Sequence, residues 1–251
     1  MPRRILEIAV DSIVDAEAAV AAGADRLELC ADLDAHGFTP SVELVRHAAK
    51  LPVQTVAMVR PRVAAPDFHY SRDAWNGVLA DAEMMLGSGA GGIVFGCLRP
   101  DWAIDSERVR ELVRLAAGRE TVFHRAIDLT PDPLAAIHQL ADLGVTRILT
   151  SGYTAAKTAL DLSAGTVPFA ATHLWHAGGD AWERRLERLK ALVDAASGRI
   201  QILPGGGIRA DNAAAVIATT GCTQLHSSAR VKGRFDPTAV AGLRASIDSA
   251  R

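Results

Sequence analysis

Short apolar runs alternate with longer stretches of helical periodicity along the whole chain. Runs of this length bounded by Gly, Pro or polar residues are typical of buried strands. The predicted strands are residues 5–10, 25–30, 53–59, 91–97, 121–123, 146–150, 200–203 and 223–225. The intervening stretches carry helix-start signals such as Ser12 and Thr39-Pro40-Ser41, and helix-stop signals such as Gly23.

Eight strands alternating with about eight helices predict an α/β fold, and this count favours a (β/α)₈ TIM barrel formed as one domain by residues 1–251. The alternative is a doubly wound open sheet. No Gly-x-Gly-x-x-Gly follows the first strand, which argues against a dinucleotide-binding version of that alternative.

One region interrupts the alternation. Between Gly152 and Arg199 there is room for more than the one expected helix, and Gly and Pro interrupt it repeatedly. We interpret about 158–182 as an insertion, with an extra strand at 167–174 as the alternative. Insertions after barrel strands often cover the active face.

The stretch Thr121–Asp128 joins an apolar strand to His124, Arg125 and Asp128. Successive side chains of a strand point to opposite faces, so His124 and Arg125 cannot both face the interior unless the strand has ended. We therefore predict that the strand stops near Phe123. Because an unpaired buried charge is costly, Arg125 should pair with an acid, either Glu28 or Asp128.

Polar residues of the same kind recur where other predicted strands end, and a barrel brings these ends to one face, where its active sites lie. The set is Glu7, Glu28, Arg60, Arg62, His124, Arg125, Asp128, Ser151, His226 and Ser227. One hypothesis is an interior network of salt bridges, for example Glu7 or Glu28 with Arg60 or Arg125. The other is a ligand site built from such a network.

A glycine-rich turn, Pro204-Gly205-Gly206-Gly207, precedes a predicted helix. Glycines let backbone amides approach an anion, and a helix N-terminus favours negative charge. In barrels the loops after strands seven and eight often bind phosphate. Here those loops are Gly205–Gly207 and His226–Ser228, which predicts an anion site, with an ordinary tight turn as the alternative.

The histidines show no zinc-binding signature such as His-x-Glu or Glu-x-x-His, and no Cys-x-x-Cys is present. His124 and His226 are candidates for acid–base work or metal ligation. His173 and His176 would share a face if they lay on a helix. Cys30 could bind a soft metal, or could be a small core residue.

The amino-acid composition limits the classes of partner that are expected. The net charge is -2, so nucleic acid and anionic membranes are not expected to bind. No apolar run is long enough for a membrane span, and the N-terminus does not resemble a signal peptide. Three scattered cysteines predict no disulfide framework and favour a cytoplasmic location. Assembly of identical copies is compatible with the sequence.

Several motifs, in order and spacing, resemble the CutC family of copper homeostasis proteins. They are Leu6-Glu-Ile8, Gly23-Ala-Asp-Arg-Leu-Glu-Leu-Cys30, Thr39-Pro-Ser41, Arg60-Pro-Arg62, Asp67-Phe-His-Tyr-Ser71, Gly92-Ile-Val-Phe-Gly96, Phe123-His-Arg-Ala-Ile-Asp128, Leu149-Thr-Ser-Gly152, Pro204-Gly-Gly-Gly-Ile208 and His226-Ser-Ser-Ala229. The resemblance implies a TIM barrel, a cytoplasmic location and a copper-binding role.

The chain departs from the family pattern at four places. Ala9 stands where family members often carry a cysteine, and that cysteine and the one matching Cys30 are the suggested Cu(I) ligands. Val63–Pro66 replaces two glycines, Asp101-Trp102 replaces Asp-Gly, and about 158–182 is inserted. These changes predict altered ligand specificity.

Two functions follow as hypotheses. The first is a copper-binding protein with Cys30 and histidines as metal ligands. The second is a lyase, isomerase or hydrolase acting on a small anionic or polyhydroxylated substrate. In it, His124 is the acid–base group, with Glu7 or Glu28 as its partner and Asp128 and His226 as further catalytic candidates. Its substrate-binding residues would be Arg60, Arg125, Ser151, Gly205, Gly206, Gly207 and Ser227. Either way, we expect a small molecule or a metal ion as the partner.

Overall fold

The computed structural model describes residues 3–62, 68–152 and 180–250. Within these ranges eight strands form one parallel sheet: β1 Ile5–Val10, β2 Arg26–Leu29, β3 Gln54–Met58, β4 Gly92–Phe95, β5 Glu120–Phe123, β6 Arg147–Thr150, β7 Gln201–Pro204 and β8 Gln224–Ser227. The helices are α1 Ile13–Ala21, α2 Val42–Ala48, α3 Arg72–Gly87, α4 Ser106–Ala116, α5 Pro133–Asp142, α6 Asp180–Ala196, α7 Ala213–Thr220 and α8 Pro237–Ser249.

The strands follow one another in the order β7-β6-β5-β4-β3-β2-β1-β8, which curls the sheet into a nearly closed barrel. Where β7 and β8 meet, Gln224 donates a side-chain hydrogen bond to Gln201 at 3.1 Å. This arrangement confirms the predicted barrel over the doubly wound alternative. Helix α1 begins as expected, because the Ser12 side chain at its N-terminus accepts a hydrogen bond from the Asp15 amide.

The barrel interior contains an apolar layer and a polar layer. The apolar layer consists of Cys30, Val56, Met58, Val94, Val122, Leu149 and Leu203. The polar layer lies at the N-terminal ends of the strands, where Arg26 donates to Gln224 at 2.7 Å and Arg147 donates to Gln201 at 3.1 Å. Polar groups at this end of a barrel normally serve stability, so function is expected at the other end.

Some predicted boundaries were wrong. Strand β8 was predicted to end at Leu225, but it continues through Ser227, so His226 is a strand residue. A hairpin was also missed: β9 Arg230–Val231 pairs antiparallel with β10 Arg234–Phe235. The insertion predicted at about 158–182, with His173 and His176, lies outside the described residues up to 179, and α6 begins at Asp180.

The described helices include none that is both long enough and apolar enough to cross a membrane.

Candidate functional site

A cavity of about 730 Å³ opens at the C-terminal ends of the strands. It lies where barrels place their binding sites. Its wall includes Glu28, Cys30, Arg60, His124, Arg125 and His226. The structure therefore brings these six residues, all selected from the sequence, to one cavity.

Glu7 is fully buried beneath this cavity and is held by two partners. Its carboxylate pairs with Arg26 on the adjacent strand and accepts from His226 Nδ1 at 2.8 Å. Burial alone would raise the pKa of Glu7, but the charge of Arg26, followed by the hydrogen bond and charge of His226, outweighs it and lowers the pKa well below its usual range. Glu7 is therefore an ionised, tightly held carboxylate.

His226 lies between two carboxylates. Its Nδ1 is 2.8 Å from Glu7 Oε1 and 4.0 Å from Glu28 Oε2. Burial lowers the pKa of His226, but the charge of Glu28 and the hydrogen bond and charge of Glu7 together raise it above its ordinary value of 6.5. The position follows from the register, which sets His226 on β8 directly beside Glu7 on β1.

Glu28 is buried and incompletely bonded. Its Oε1 accepts from the Cys30 thiol at 3.3 Å, while Oε2 has no hydrogen-bond partner in the described structure. Burial raises the pKa of Glu28, and the positive charge of His226 only partly opposes this. Burial, reinforced by the charge of Glu28, also raises the pKa of the Cys30 thiol well above its ordinary value of 9.0. Cys30 is thus a protonated thiol at neutral pH.

Glu7, Glu28 and His226 together offer ligand atoms that all lie within 4.8 Å of one another. All three residues are buried. Two carboxylates and an imidazole form a donor set for a divalent transition-metal ion. Since Oε2 of Glu28 lacks a hydrogen bond, the cluster contains a coordinating atom that no neighbour in the described structure uses.

A hydrogen bond from the backbone amide of Ala126 holds the ring of His124 in place. The strand β5 ends at Phe123, as predicted, and His124 caps the 3₁₀ helix Arg125–Leu129 by accepting the Ala126 amide on Nδ1 at 3.1 Å. An acceptor at Nδ1 leaves the hydrogen of the neutral ring on Nε2. Burial, strengthened by the charge of Arg60, lowers the pKa of His124 to about 3, so the ring is neutral at physiological pH.

Arg60 and Arg125 provide positive charge on the same wall. The Arg60 guanidinium lies 5.0 Å from the ring centre of Phe38 and 5.5 Å from that of Phe68, and it donates to Gly37 O at 3.3 Å. Arg125 pairs with Asp128 at 3.2 Å, which is one of the two acids predicted for it.

Asp128 and Ser151 form a buried scaffold. The hydroxyl groups of Thr150 and Ser151 each donate a hydrogen bond to Asp128 at 2.6 Å. The Ser151 amide donates a further hydrogen bond to Asp128 at 3.1 Å. Neither residue contributes to the described cavity wall. Their contacts favour a role in holding Arg125 and the end of β6, and the catalytic and substrate-binding roles considered for them stay untested.

The glycine-rich turn also reaches the cavity. Gly206 and Gly207 line it, as does Ser227, and both glycines have positive φ angles of 72° and 69°. Gly205 faces inward, because its carbonyl accepts from the buried Arg185 at 2.8 Å and an added Cβ would lie 2.5 Å from Leu149 Cδ1. The predicted anion site at this turn remains a prediction.

Sequence reasoning missed four residues that position the site. Glu7 was expected to pair with Arg60 or Arg125, yet it pairs with Arg26, which is two residues before Glu28 and so shares its inward face. The others are Arg147 near Glu7, Arg185 beneath the glycine turn, and Gly96, where a Cβ would lie 2.1 Å from His124 Cε1. Strand periodicity from Glu28 could have identified Arg26.

Similarity to known proteins identifies the family of this chain. The sequence profile of the CutC family matches residues 4–179 and 173–231. A CutC family protein of Treponema denticola is 40% identical over 234 residues, covering 93% of this chain and 84% of the relative. The human copper homeostasis protein cutC homolog is 35% identical over 229 residues, or 90% of this chain and 73% of the relative. The crystal structure of a CutC protein from Streptococcus agalactiae is similar with a TM-score of 0.74 at 27% identity, covering 90% of this chain and 98% of that one. The chain belongs to the CutC family.

Proposed function

We propose that this protein functions in copper homeostasis by binding a copper ion at the cluster of Glu7, Glu28 and His226. The single observation that carries this proposal is the set of ligand atoms within 4.8 Å of one another, together with the unbonded Oε2 of Glu28. Copper itself enters through the name of the human relative. The relatives support this hypothesis over the barrel lyase, isomerase or hydrolase.

The donor chemistry indicates which oxidation state binds. Cu(I) prefers sulfur ligands, but Ala9 supplies none and the one nearby thiol, Cys30, is protonated at neutral pH. A two-thiolate Cu(I) site therefore does not fit these residues. Nitrogen and oxygen donors bind divalent ions in an order in which Cu(II) exceeds Zn(II), so the cluster fits Cu(II) better.

A cytoplasmic location is part of the proposal. The three cysteines, Cys30, Cys97 and Cys222, are all buried and unpaired by disulfides, which is compatible with a reducing compartment. Because copper in such a compartment is reduced, binding of both oxidation states has to be measured.

The experiment is a titration of metal-free protein with Cu(II), Zn(II) and, under anaerobic reductant, Cu(I), each against a competing chelator. Cu(II) should bind one-to-one and more tightly than Zn(II). Glu28→Gln and His226→Gln should each weaken Cu(II) at least tenfold, on the scale of about 1.4 kcal/mol per ligand interaction lost. His226→Gln should also remove nitrogen hyperfine structure from the Cu(II) EPR spectrum.

Matched controls are Glu17→Gln and His138→Asn, which change the same residue types at exposed positions. Unchanged Cu(II) affinity in both cluster variants would refute the proposed site. Cu(I) binding should be weak and little affected by Cys30→Ala. Tight Cu(I) binding abolished by Cys30→Ala would instead assign the metal to the thiol.

A further inference from the structure

The cavity wall carries more positive than negative charge. Its lining includes five Arg or Lys side chains and two carboxylates, Glu28 and Asp211, whereas the chain as a whole has a net charge of -2. The five cations are Arg60, Arg125, Arg209, Arg230 and Lys232. Arg125 and Arg230 also pair with acids outside the wall, Arg125 with Asp128 and Arg230 with Asp11 and Asp34. Concentrating one sign of charge in a recess attracts ligands of the opposite sign, so the part of the wall that carries these cations favours an anion.

A buried hydrogen-bond donor lies on this wall. His124 is 5% exposed, and its ring packs 4.6 Å from the ring of Phe68. Nδ1 is occupied by the Ala126 amide, while Nε2 is buried without a hydrogen-bond partner in the described structure. A buried polar group without a partner is unusual enough to indicate a missing ligand or water. The ring forms part of the cavity wall, so a ligand in the cavity is a candidate for that partner.

Two guanidinium groups share the cavity wall with this ring. Arg60 and Arg125 line the cavity with His124, and the charges of both disfavour a proton on its ring. A guanidinium presents several donors in a plane, so Arg125 can pair with Asp128 and still offer other donors to the oxygens of a carboxylate or phosphate. A neutral imidazole on the same wall adds a further donor without adding a further positive charge.

We propose that Arg60, His124 and Arg125, which we call the anion wall, bind the oxyanion of a small organic carboxylate or phosphate ester. The apolar side chains of Phe68, Met58 and Leu33 line the same cavity and would contact the organic part of the ligand. This site uses none of the proposed copper ligands. It is therefore an inference about a second ligand, and it does not depend on copper binding.

The test uses full-length protein treated with EDTA, so that metal binding cannot influence the outcome. Benzoate, phenyl phosphate and inorganic phosphate are titrated by calorimetry, with sodium chloride at matched ionic strength as the reference. We expect an oxyanion probe to bind the protein one-to-one and saturably, in preference to chloride. Preference for benzoate or for phenyl phosphate identifies the oxyanion as a carboxylate or a phosphate.

Amino-acid substitutions test whether the probe binds at the anion wall. In His124→Asn, the Asn oxygen can still accept the Ala126 amide, but the donor at Nε2 is lost. His124→Asn and Arg125→Gln should each weaken binding about tenfold or more. Lys232→Gln removes an exposed charge from the cavity rim and should have an effect of no more than about twofold. Circular dichroism checks that each variant is folded.

Three results would overturn the proposal. The first is the absence of saturable binding by all three probes up to about 10 mM, a weak limit for small ligands. The second is an affinity unchanged by both His124→Asn and Arg125→Gln. The third is an equal loss in Lys232→Gln, which would mean that general attraction at the rim, and not the anion wall, binds the probe.

Discussion

Replacing His124 by Asn should make the protein less sensitive to acid. The folded-state pKa of His124 is about 3 because the ring is buried and lies close to Arg60 and Arg125, against an ordinary value of 6.5. Both of these neighbouring charges are positive. The neutral ring is thus strongly favoured in the folded protein.

The magnitude follows from the two pKa values. As pH falls through 6.5, the ring protonates in the unfolded chain but stays neutral in the folded protein down to about pH 3. The stability contributed by this histidine is therefore fully present above pH 6.5 and is lost as pH falls, by about 1.4 kcal/mol per unit. At pH 5 the loss is about 2 kcal/mol, equivalent to roughly 4–8 °C in melting temperature for a chain of this size.

Other groups titrate in the same pH range. The free energies of unfolding of wild type and His124→Asn are therefore compared with each other at each pH. The raised pKa of His226 acts in the opposite direction, because its contribution is present below pH 6.5 and is lost as pH rises. Subtracting the free energy of unfolding of His124→Asn from that of the wild type cancels such contributions. Asn keeps the cap by accepting the Ala126 amide, so the variant should remain folded.

The assay is urea unfolding at pH 7 and pH 5. The stability advantage of wild type over His124→Asn should be smaller at pH 5 by about 2 kcal/mol. His138→Asn, at an exposed helix position, is the matched control, and its difference from wild type should be the same at both pH values. Equal differences for His124→Asn at both pH values would refute the reasoning. Nitrogen NMR of the ring tests it directly, because Nε2 should carry the hydrogen throughout this range.

Two further predictions concern stability. Glu7→Gln leaves Arg26 without its buried counter-charge and leaves Glu28 as the remaining carboxylate beside His226, and it should lower the free energy of unfolding by about 3–5 kcal/mol. Glu17→Gln, which removes only an exposed pair with His47, should change it by less than about 1 kcal/mol. A loss in Glu7→Gln no larger than in its control would contradict the assigned ion pair. Gly96→Ala places a Cβ 2.1 Å from His124 Cε1 and should cost about 1–3 kcal/mol by forcing the ring to move. Gly87→Ala, where nothing lies within 4 Å of an added Cβ, should not be destabilised, and equal denaturation midpoints for the two alanine variants would contradict the close contact.

The number of strands and their approximate positions could be predicted because they depend on local signals. Apolar runs bounded by polar residues define β1 at the predicted residues and the other seven strands to within one or two residues at each end. The end of β5 at Phe123 followed from the alternation of side chains along a strand, which does not let His124 and Arg125 both face the interior. The cost of burying an unpaired charge predicted an acid beside Arg125 but left Glu28 and Asp128 as alternatives, and the structure selects Asp128.

The missed hairpin had a local signal that was overlooked. Lys232 and Gly233 both have positive φ angles, 51° and 77°, between the paired dipeptides Arg230-Val231 and Arg234-Phe235. A two-residue turn of this kind requires positive φ at both positions, and Gly at the second is a frequent sign of it. The strands are too short to show alternation, so the turn was the only usable signal.

The partners of Glu7 could not be predicted in the same way, because they depend on register. A parallel pairing shifted by one residue would turn a strand's inward side chains outward. The observed register sets Glu7 beside both Arg26 and His226. Extending β8 through Ser227 makes His226 part of that register, and the predicted strand, which ended at Leu225, left His226 out of it.

The order of the strands around the barrel explains how one cavity has two chemically different sides. Strands β1, β2 and β8 contribute Glu7, Glu28 and His226, an arrangement with carboxylates that suits a cation. The segments after β3 and β5 contribute Arg60, His124 and Arg125, an arrangement with guanidiniums that suits an anion. In the sequence these residues form a single series of polar strand ends. Only the order of strands around the barrel separates them by charge, and this separation is why a cation and an anion are proposed as two ligands of one cavity.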